Sequence, residues 1–382
     1  MPAIEASTPP GEDLYLGLIS GTSADGIDAA LVRFEPQLQV VAARTTAYPA
    51  ALRERVLGLA TSDASIALDD YGRLDVQIGE AFAAAADTLL REAGIGEASV
   101  AAIGSHGQTV RHRPGGAHPF TLQIGDPSVI AERTGIATVA DFRRADVAAG
   151  GQGAPLLPGL HAAVFAHASI PRAVLNLGGI ANLTILAPGR DVLGFDTGPA
   201  NCLLDAWATR HLGAPRDEGG AWARGGTVDP DLLAHWLSEP YFAAPPPKSS
   251  GREVFNLDWL DARVPTGIAS ADVQATLLAL SARSIADALR AHGNGAGEVY
   301  ACGGGVHNGA LMQALRDELP GVRVETTAAL GLDPDYVEAV GFAWLAHARL
   351  AAVPGNLPSV TGAREPRLLG AIYPAPSLPT SR

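Results

Sequence analysis

The sequence predicts an α/β protein of two domains. Short strand-like runs alternate with alanine-rich helical runs along the chain, a pattern typical of sheets covered by helices. The length of 382 residues suits two domains of ~150 residues each. Two strand–turn–strand segments carry glycines at their tips and begin at residues 14 and 173. This spacing would give each domain one such hairpin.

Composition and charge argue against several classes of protein. Hydrophobic residues make up 47% of the chain, enough for sizeable cores, and charged residues 18%. The net charge of −13 argues against a nucleic acid or an anionic membrane as partner, because either needs a clustered basic face. No apolar stretch approaches the ~20 residues of a membrane span. The first residues also lack the basic and apolar segments of a secretory signal. We therefore expect a cytoplasmic protein.

The sequence lacks the commonest motifs of nucleotide and metal binding. Lys248 is the only lysine, so the phosphate-binding motif GxxxxGK[ST] is absent. Arginines and backbone N–H groups are left as phosphate ligands. The two cysteines, Cys202 and Cys302, are too few for a disulfide framework or a zinc site.

The first hairpin, residues 14–34, has the sequence GTSADGID at its tip. Glycine lets backbone N–H groups approach an anion closely, and hydroxyl groups add donors, so this tip is a candidate phosphate-binding turn. Its two carboxylates could hold Mg²⁺ through water. A purely structural tight turn is the alternative. The candidate residues are Gly21, Thr22, Ser23, Asp25, Gly26 and Asp28, with Asp25 and Asp28 for the metal.

The second hairpin, residues 173–186, has Gly178 and Gly179 at its tip and is the second candidate phosphate-binding turn. A strand over residues 191–195 then leads to Asp196. A carboxylate at this position either caps the following helix or acts as a general base facing a cleft.

A third glycine-rich turn, CGGGVHN, lies between a strand over residues 298–302 and a helix. Its glycines would let a flat ligand lie against the backbone, or would serve close packing. Asn308 can cap the helix that follows. The glycines concerned are Gly303, Gly304 and Gly305.

Polar segments follow several strands of the first half, where open α/β sheets bind their ligands. These segments are SHGQTV, GDPS, ADFR and GGQGAP. Together they could line a sugar pocket, although each could equally be a satisfied loop. The Gly/Pro-rich residues 150–155 form the best candidate hinge. We expect one domain over residues 1–150 plus about 357–382, and the other over residues 151–356.

Seven segments, in this order, resemble the anhydro-N-acetylmuramic acid kinase family: GTSADGID, SHGQTV, GDPSVIAE, VADFRRADVAAGGQGAPL, NLGGIANLT, FDTGPAN and CGGGVHN. The resemblance runs from about residue 16 to residue 370. It implies the two-domain actin-like ATPase (ribonuclease H-like) fold of the sugar kinase, actin and heat-shock-chaperone superfamily, with an inter-domain active-site cleft. It also implies a homodimer.

The activity that the resemblance implies is a coupled one. Such an enzyme uses ATP, Mg²⁺ and water to open 1,6-anhydro-N-acetylmuramic acid and to phosphorylate O6. The product would be N-acetylmuramic acid 6-phosphate, in the recycling of peptidoglycan.

The resemblance also implies roles by position. Residues 21–28 would form the first phosphate loop, and Gly178 and Gly179 with Asn182 the second. Asp196 would activate water for attack on the anomeric carbon. The glycines of CGGGVHN, with Asn308, would flank the adenosine. The candidates for the sugar pocket are His106, Gln108, Asp126, Arg143 and Gln152, and the charge of Arg143 suits the lactyl carboxylate.

Two departures from the family and two rival functions stay open. Ala24 stands where the family generally has Met, and Ala200 where Gly is usual; neither change removes a chemical group.

A plain hydroxyl kinase acting on a hexose or a glycerol-like acceptor would open no anhydro ring and consume no water. An actin-like or regulatory ATP-binding module would polymerise, or would carry a basic helix-turn-helix segment that this sequence does not show.

Overall fold

The computed structural model describes residues 13–21, 24–60, 65–251 and 253–376. Contacts divide these residues into two compact units. Unit 1 comprises the described residues up to Leu160 and from Glu338 onward, and unit 2 comprises His161–Val337. Each unit contains a mixed β-sheet with helices packed against it.

The strands are β1 (Leu14–Ile19), β2 (Ile27–Arg33), β3 (Gln39–Thr46), β4 (Val100–Ser105), β5 (Gln108–Arg113), β6 (Phe120–Ile124), β7 (Thr138–Ala140), β8 (Arg172–Leu177), β9 (Ile180–Leu186), β10 (Leu193–Pro199), β11 (Glu298–Cys302), β12 (Arg323–Thr326) and β13 (Ala371–Tyr373).

The α-helices are α1 (Ala50–Ala60), α2 (Leu68–Ala93), α3 (Pro127–Thr134), α4 (Arg144–Ala148), α5 (Pro158–Phe165), α6 (Asn201–Leu212), α7 (Ala221–Arg224), α8 (Pro230–Leu237), α9 (Pro240–Ala243), α10 (Leu257–Asp261), α11 (Ser270–His292), α12 (Gly309–Glu318), α13 (Val337–Leu350) and α14 (Pro358–Thr361). Within the described ranges, no helix has the length and hydrophobicity needed to span a bilayer.

The two sheets share one topology. In unit 1, β1, β2 and β3 form an antiparallel meander, β4 and β7 continue the sheet parallel to β1, and β13 closes the edge. In unit 2, β8, β9 and β10 form the meander, and β11 and β12 lie parallel to β8. Counted along the chain among the strands of each sheet, the order is 3-2-1-4-5 in both, which is the ribonuclease H-like order. In unit 1, β13 is added as a sixth strand, and β5 and β6 form a separate two-stranded sheet. The fold is therefore the repeated α/β fold of actin-like ATPases, as predicted.

Helix α13 belongs to the core of unit 1, and glycines make its close approach to the sheet possible. A Cβ atom on Gly17 of β1 would lie 1.8 Å from the carbonyl oxygen of Ala339, and one on Gly104 of β4 would lie 2.0 Å from that of Phe342. Ordinary side chains could not occupy either position. On α2, apolar residues at helical spacing, among them Leu74, Ile78 and Phe82, are fully buried.

The core of unit 2 forms where α11 covers the sheet. Its buried face includes Leu280 and Ile285, which belong to one cluster with Leu175, Leu183 and Phe195 of β8, β9 and β10.

One predicted strand differs from the structure: β10 begins at Leu193 and continues to Pro199, with an irregular register between Asp196 and Gly198. Asp196 therefore lies within a strand and not after its end, because the strand continues pairing with β9 past the bulge.

Candidate active site

The tip of the first hairpin connects β1 and β2. The backbone N–H of Ala24 and the side-chain amide of Gln108 both donate to the carbonyl oxygen of Gly21, each at 3.1 Å. Gln108 is 1% exposed, so it supports the tip from beneath. Ala24 is buried at a φ of 48°, in the left-handed region that non-glycine residues seldom adopt. Thr22 and Ser23, two of the predicted phosphate ligands, lie outside the described residues.

Both candidate metal ligands at this tip have partners. Asp25 forms an ion pair with Arg53 at 2.7 Å, and the Thr45 hydroxyl donates to Asp28 at 2.6 Å. Nearby, burial raises the pKa of the Glu338 carboxyl; Arg143 lowers this pKa and Asp28 raises it further. Hard carboxylate oxygens are the donors that Mg²⁺ prefers, and one or two of them suffice when phosphate and water complete the shell. The donor chemistry of Asp25 and Asp28 therefore fits the predicted ion.

Arg143 is the centre of a polar cluster in unit 1. Its Nε and Nη2 donate to Nε2 of His106 at 3.1 and 2.9 Å, and its Nη1 donates to the carbonyl oxygen of Gly153 at 2.8 Å. Burial, and then the charge of Arg143, hold the pKa of His106 well below its usual range. His106 is therefore a neutral acceptor that orients the guanidinium, whose remaining N–H groups can bind an anionic partner.

Two more residues belong to this cluster. Burial, and then Arg143, lower the pKa of His112, which also interacts with the backbone of Gln152. The side chain of Gln152 is exposed, and its backbone N–H donates to the carbonyl oxygen of Thr361 at 2.8 Å. The structure thus brings three of the five predicted sugar-pocket residues together: His106, Arg143 and Gln152.

The other two predicted pocket residues make different contacts. Gln108 holds the first hairpin tip, as described above. Asp126 caps α3, because its Oδ1 accepts from the backbone N–H of Ser128 at 2.8 Å, and Pro127 occupies the first helical position. Sequence reasoning missed His112 and Glu338. A usable signal for Glu338 was present, since it is the only acidic residue in the otherwise largely apolar α13.

Asp196 lies on the bulged part of β10 in unit 2. Its Oδ2 accepts from the backbone N–H of Ser250 at 2.9 Å, and its own N–H donates to the carbonyl oxygen of Lys248 at 3.0 Å. Burial raises the pKa of the Asp196 carboxyl to about 6; the Ser250 N–H and Lys248 lower it, and Glu253 raises it. A carboxylate with this pKa is suited to exchange protons near neutral pH.

The side chain of Asp196 belongs to a row of polar groups across the sheet. Asp196 is paired with Asn182 on β9, and Asn182 is paired with Asn176 on β8. Directly paired residues share one face of a sheet, so the three side chains lie side by side. All three are partly exposed, between buried neighbours. Asn176 was not among the predicted site residues.

The second glycine turn is tied to the start of α6. The carbonyl oxygen of Gly179 accepts from the N–H groups of Ala200 and Cys202, both at 3.0 Å, and that of Gly178 accepts from the N–H of Asn201 at 3.1 Å. These bonds turn both glycine carbonyls toward the helix. The turn is thereby held at the same end of the sheet as the row of Asn and Asp side chains.

The CGGGVHN turn lies beside the second glycine turn. Gly303 has a φ of 81°, and a Cβ there would lie 2.4 Å from Oδ1 of Asn176. Asn308 caps α12, with its Oδ1 accepting from the N–H of Leu311 at 3.1 Å, as predicted. A polar pocket adjoins this turn. It is lined by Asn201, Asp205, Arg216, Asp217, Glu218, Gly219, Gly304, His307 and Asn308.

The amino-acid sequence matches one family of known proteins over nearly its whole length. The sequence profile of the family described as anhydro-N-acetylmuramic acid kinase matches residues 13–375. Proteins of that name are similar to this chain: one from Xanthomonas oryzae is 58% identical over 367 residues, 95% of this chain and 97% of its own. One from Xanthomonas campestris is 56% identical over 377 residues, 97% of this chain and 100% of its own. One from Coxiella burnetii is 50% identical over 366 residues, 95% of this chain and 98% of its own.

One solved structure with a similar fold is more distant in sequence. Component A of the (R)-2-hydroxyglutaryl-CoA dehydratase of Acidaminococcus fermentans is similar at a TM-score of 0.45 and 16% identity, over 89% of this chain and 99% of that chain. The fold assignment rests on the strand order and not on this likeness. The match along residues 13–375 and the three relatives agree. The chain belongs to the anhydro-N-acetylmuramic acid kinase family of enzymes.

Proposed function

We propose that this kinase uses ATP, Mg²⁺ and one water molecule to convert 1,6-anhydro-N-acetylmuramic acid into N-acetylmuramic acid 6-phosphate. The water oxygen forms a bond to C1, and the bond from C1 to O6 breaks. O6 then takes the γ-phosphoryl group, and ADP leaves. The observation that carries the proposal is Asp196, a partly exposed carboxylate on a strand bulge whose pKa is raised to about 6.

Asp196 acts as the general base in this proposal. The Ser250 N–H engages Oδ2, so Oδ1 is the oxygen that takes the proton of the attacking water. Because the pKa is about 6, the carboxylate is mostly ionised above neutral pH and still basic enough to accept a proton. One carboxylate thus serves a coupled reaction, since the ring opening that it assists also frees O6.

Arg143 binds the lactyl carboxylate in this proposal. Support comes from the two N–H groups that its bonds to His106 and Gly153 leave for a further acceptor. A neutral His106 cannot compete for the negative charge, since burial and Arg143 both lower its pKa. Gln152 and His112 would bind hydroxyl or amide groups of the sugar in this proposal.

The glycine turns and the polar pocket of unit 2 bind the nucleotide in this proposal. Backbone N–H groups of the first turn other than that of Ala24, and those of Gly178 and Gly179, bind phosphate oxygens, with Asn182 beside them. The CGGGVHN turn, with Asn308, flanks the adenosine. Asp28, with Asp25, would hold Mg²⁺ through water, and the ion would offset the charge of the β- and γ-phosphates.

The remaining parts of the proposal concern the setting of the enzyme. We propose a cytoplasmic homodimer that acts in peptidoglycan recycling. The first phosphate loop and much of the sugar pocket would belong to unit 1. The second loop, the base and the adenosine site would belong to unit 2.

The product formed in H₂¹⁸O tests the reaction. ATP, Mg²⁺ and 1,6-anhydro-N-acetylmuramic acid should give a 6-phosphorylated sugar with ¹⁸O at C1, detected by mass spectrometry. Product made in ordinary water and then held in H₂¹⁸O controls for exchange at C1. A phosphorylated sugar that retains its anhydro ring would favour the plain hydroxyl kinase. ATP binding with no phosphorylated sugar would favour the non-catalytic module.

Two variants test the assigned residues. Asp196→Asn should fold and bind both substrates but lose turnover by at least about a hundredfold, as expected when a general base is removed. A near-normal kcat would refute the role of Asp196 as the base.

Arg143→Ala should raise the KM for the sugar about 10- to 100-fold, the effect of one lost charged hydrogen-bond pair, with a smaller change in the KM for ATP. An unchanged KM for the sugar would refute the pairing with the lactyl carboxylate.

A further inference from the structure

A short segment of unit 2 is fastened to Asp196 from both ends. This segment, residues 241–250, is called the strap below. At its start, the Tyr241 hydroxyl donates to the carbonyl oxygen of Asp196 at 3.0 Å. At its end, the carbonyl oxygen of Lys248 accepts from the Asp196 N–H at 3.0 Å, and the Ser250 N–H donates to Oδ2 at 2.9 Å. The strap therefore contacts the backbone N–H, the carbonyl and the carboxylate of one residue.

The side chain of Lys248 joins the two ends of the strap. Its Nζ donates to the carbonyl oxygen of Tyr241 at 3.0 Å and to that of Phe242 at 3.1 Å. The same ammonium lies 4.7 Å from the centre of the Tyr241 ring, within the range of a cation–π contact. A segment that holds several prolines cannot form a regular ladder of N–H bonds, so these side-chain contacts keep its ends together.

The strap also fits the irregular part of β10. Gly198 has a φ of 149°, and a Cβ there would lie 2.7 Å from Cε1 of Phe242. The ring of Phe242 thus occupies the space that a side chain would fill next to the bulge. Because a bulge re-aims the side chains beside it, this packing helps to set the direction of Asp196.

Several charged or titratable groups in the described part of unit 2 bear on Asp196. Lys248 and the Ser250 N–H lower its pKa, whereas Glu253 raises it. Burial, and then Asp196, raise the pKa of Tyr241. Burial lowers the pKa of Lys248, and Asp196 offsets part of that decrease. His292, whose ring packs edge-on against Phe195, has its pKa lowered by burial and then by Lys248. Lys248 is thus electrostatically linked to both Asp196 and His292.

We propose that Lys248 is a positioning residue that keeps the strap closed on Asp196, so that Oδ2 stays bound and Oδ1 is presented for proton transfer. The inference rests on the proposed function, because it concerns the base of that reaction. In this proposal Lys248 acts through the strap, and not by binding the sugar or the nucleotide itself. Loss of its side chain should weaken the bond from the Ser250 N–H and raise the pKa of Asp196.

The pH dependence of catalysis tests this proposal. Lys248→Met keeps most of the side-chain length but loses the ammonium. In this variant the acidic limb of the pH profile of kcat/KM should shift by about one unit to higher pH, so that kcat/KM on that limb falls about tenfold. The KM for ATP should change less than about threefold, and Lys248→Arg should restore most of the profile. Arg190→Met removes an exposed charge from the same unit and should leave the profile unchanged. An unchanged limb in Lys248→Met would overturn the proposal.

A second measurement does not depend on activity. Because the chain has one lysine, selective labelling with [¹³C]lysine gives a single side-chain Cε signal in the NMR spectrum. This signal should titrate with a midpoint near pH 6 in the wild type and lose that step in Asp196→Asn. A Cε signal with the same titration in both proteins would refute the link between Lys248 and Asp196. If the Lys248 signal of the wild type titrates as expected but the protein does not phosphorylate the anhydro sugar, the proposed function is refuted and the proposed link between Lys248 and Asp196 is retained.

Discussion

Replacement of Asp196 by asparagine should stabilise the fold at the same time as it removes activity. The pKa of this carboxyl is raised from its ordinary value of 3.8 to about 6, chiefly by burial. The folded protein therefore binds the proton more tightly than the unfolded chain does. Well below pH 3.8 both states are protonated, and the raised pKa then costs no stability. As the pH rises through 6, the folded protein has to hold a charged, partly desolvated carboxylate, and stability is lost.

The size of the effect follows from the two pKa values. A difference of about 2 pH units corresponds to about 3 kcal/mol, at 1.36 kcal/mol for each unit. Asparagine has nearly the same shape, and its Oδ1 can still accept from the Ser250 N–H. Asp196→Asn should therefore gain up to about 3 kcal/mol over the wild type at pH 8 and almost nothing at pH 3.5.

Urea unfolding at pH 3.5, 6 and 8 measures this difference. Four of the five tryptophans, Trp207, Trp222, Trp236 and Trp259, lie in unit 2, so their fluorescence follows the unit that contains Asp196. Asp191 is exposed, and Asp191→Asn should change the free energy of unfolding by no more than about 0.5 kcal/mol at any pH. If Asp196→Asn were no more stable than the wild type at pH 8, the raised pKa would be refuted.

Three further predictions concern the framework of the site. Asp146, fully buried, accepts from Gly153, Asn356 and Thr361 at 2.6–2.7 Å, so Asp146→Ala should cost about 3–5 kcal/mol of unfolding free energy, measured by urea unfolding. Gly17→Ala should lower Tm sharply because its Cβ would meet the backbone of α13, whereas Gly72→Ala, with open space, should raise it slightly. Asn308→Ala should cost about 1 kcal/mol through the lost cap and weaken ATP binding in calorimetry. An unchanged Tm, free energy or affinity would contradict the respective prediction.

Local sequence signals were sufficient for the two hairpins and several helix ends. Gly94 ends α2 at a φ of 67°, Asp126 and Pro127 begin α3, and Asn308 begins α12, because capping depends on residues close together in the chain. The end of β10 was placed too early. Its continuation to Pro199 depends on pairing with β9, and a local pattern does not contain that partner.

By itself, the sequence determined the α/β class, the glycine turns, the family and the position of Asp196 in its motif, since each of these depends on residue types in a short order. Only the tertiary structure decided which residues that are distant in the sequence lie close together in space. It brought Lys248 and Ser250 to Asp196 across about 50 residues of chain, and Gln108 beneath the tip at Gly21. It also raised the pKa of Asp196, because burial and the field of distant charges exist only after the chain has folded.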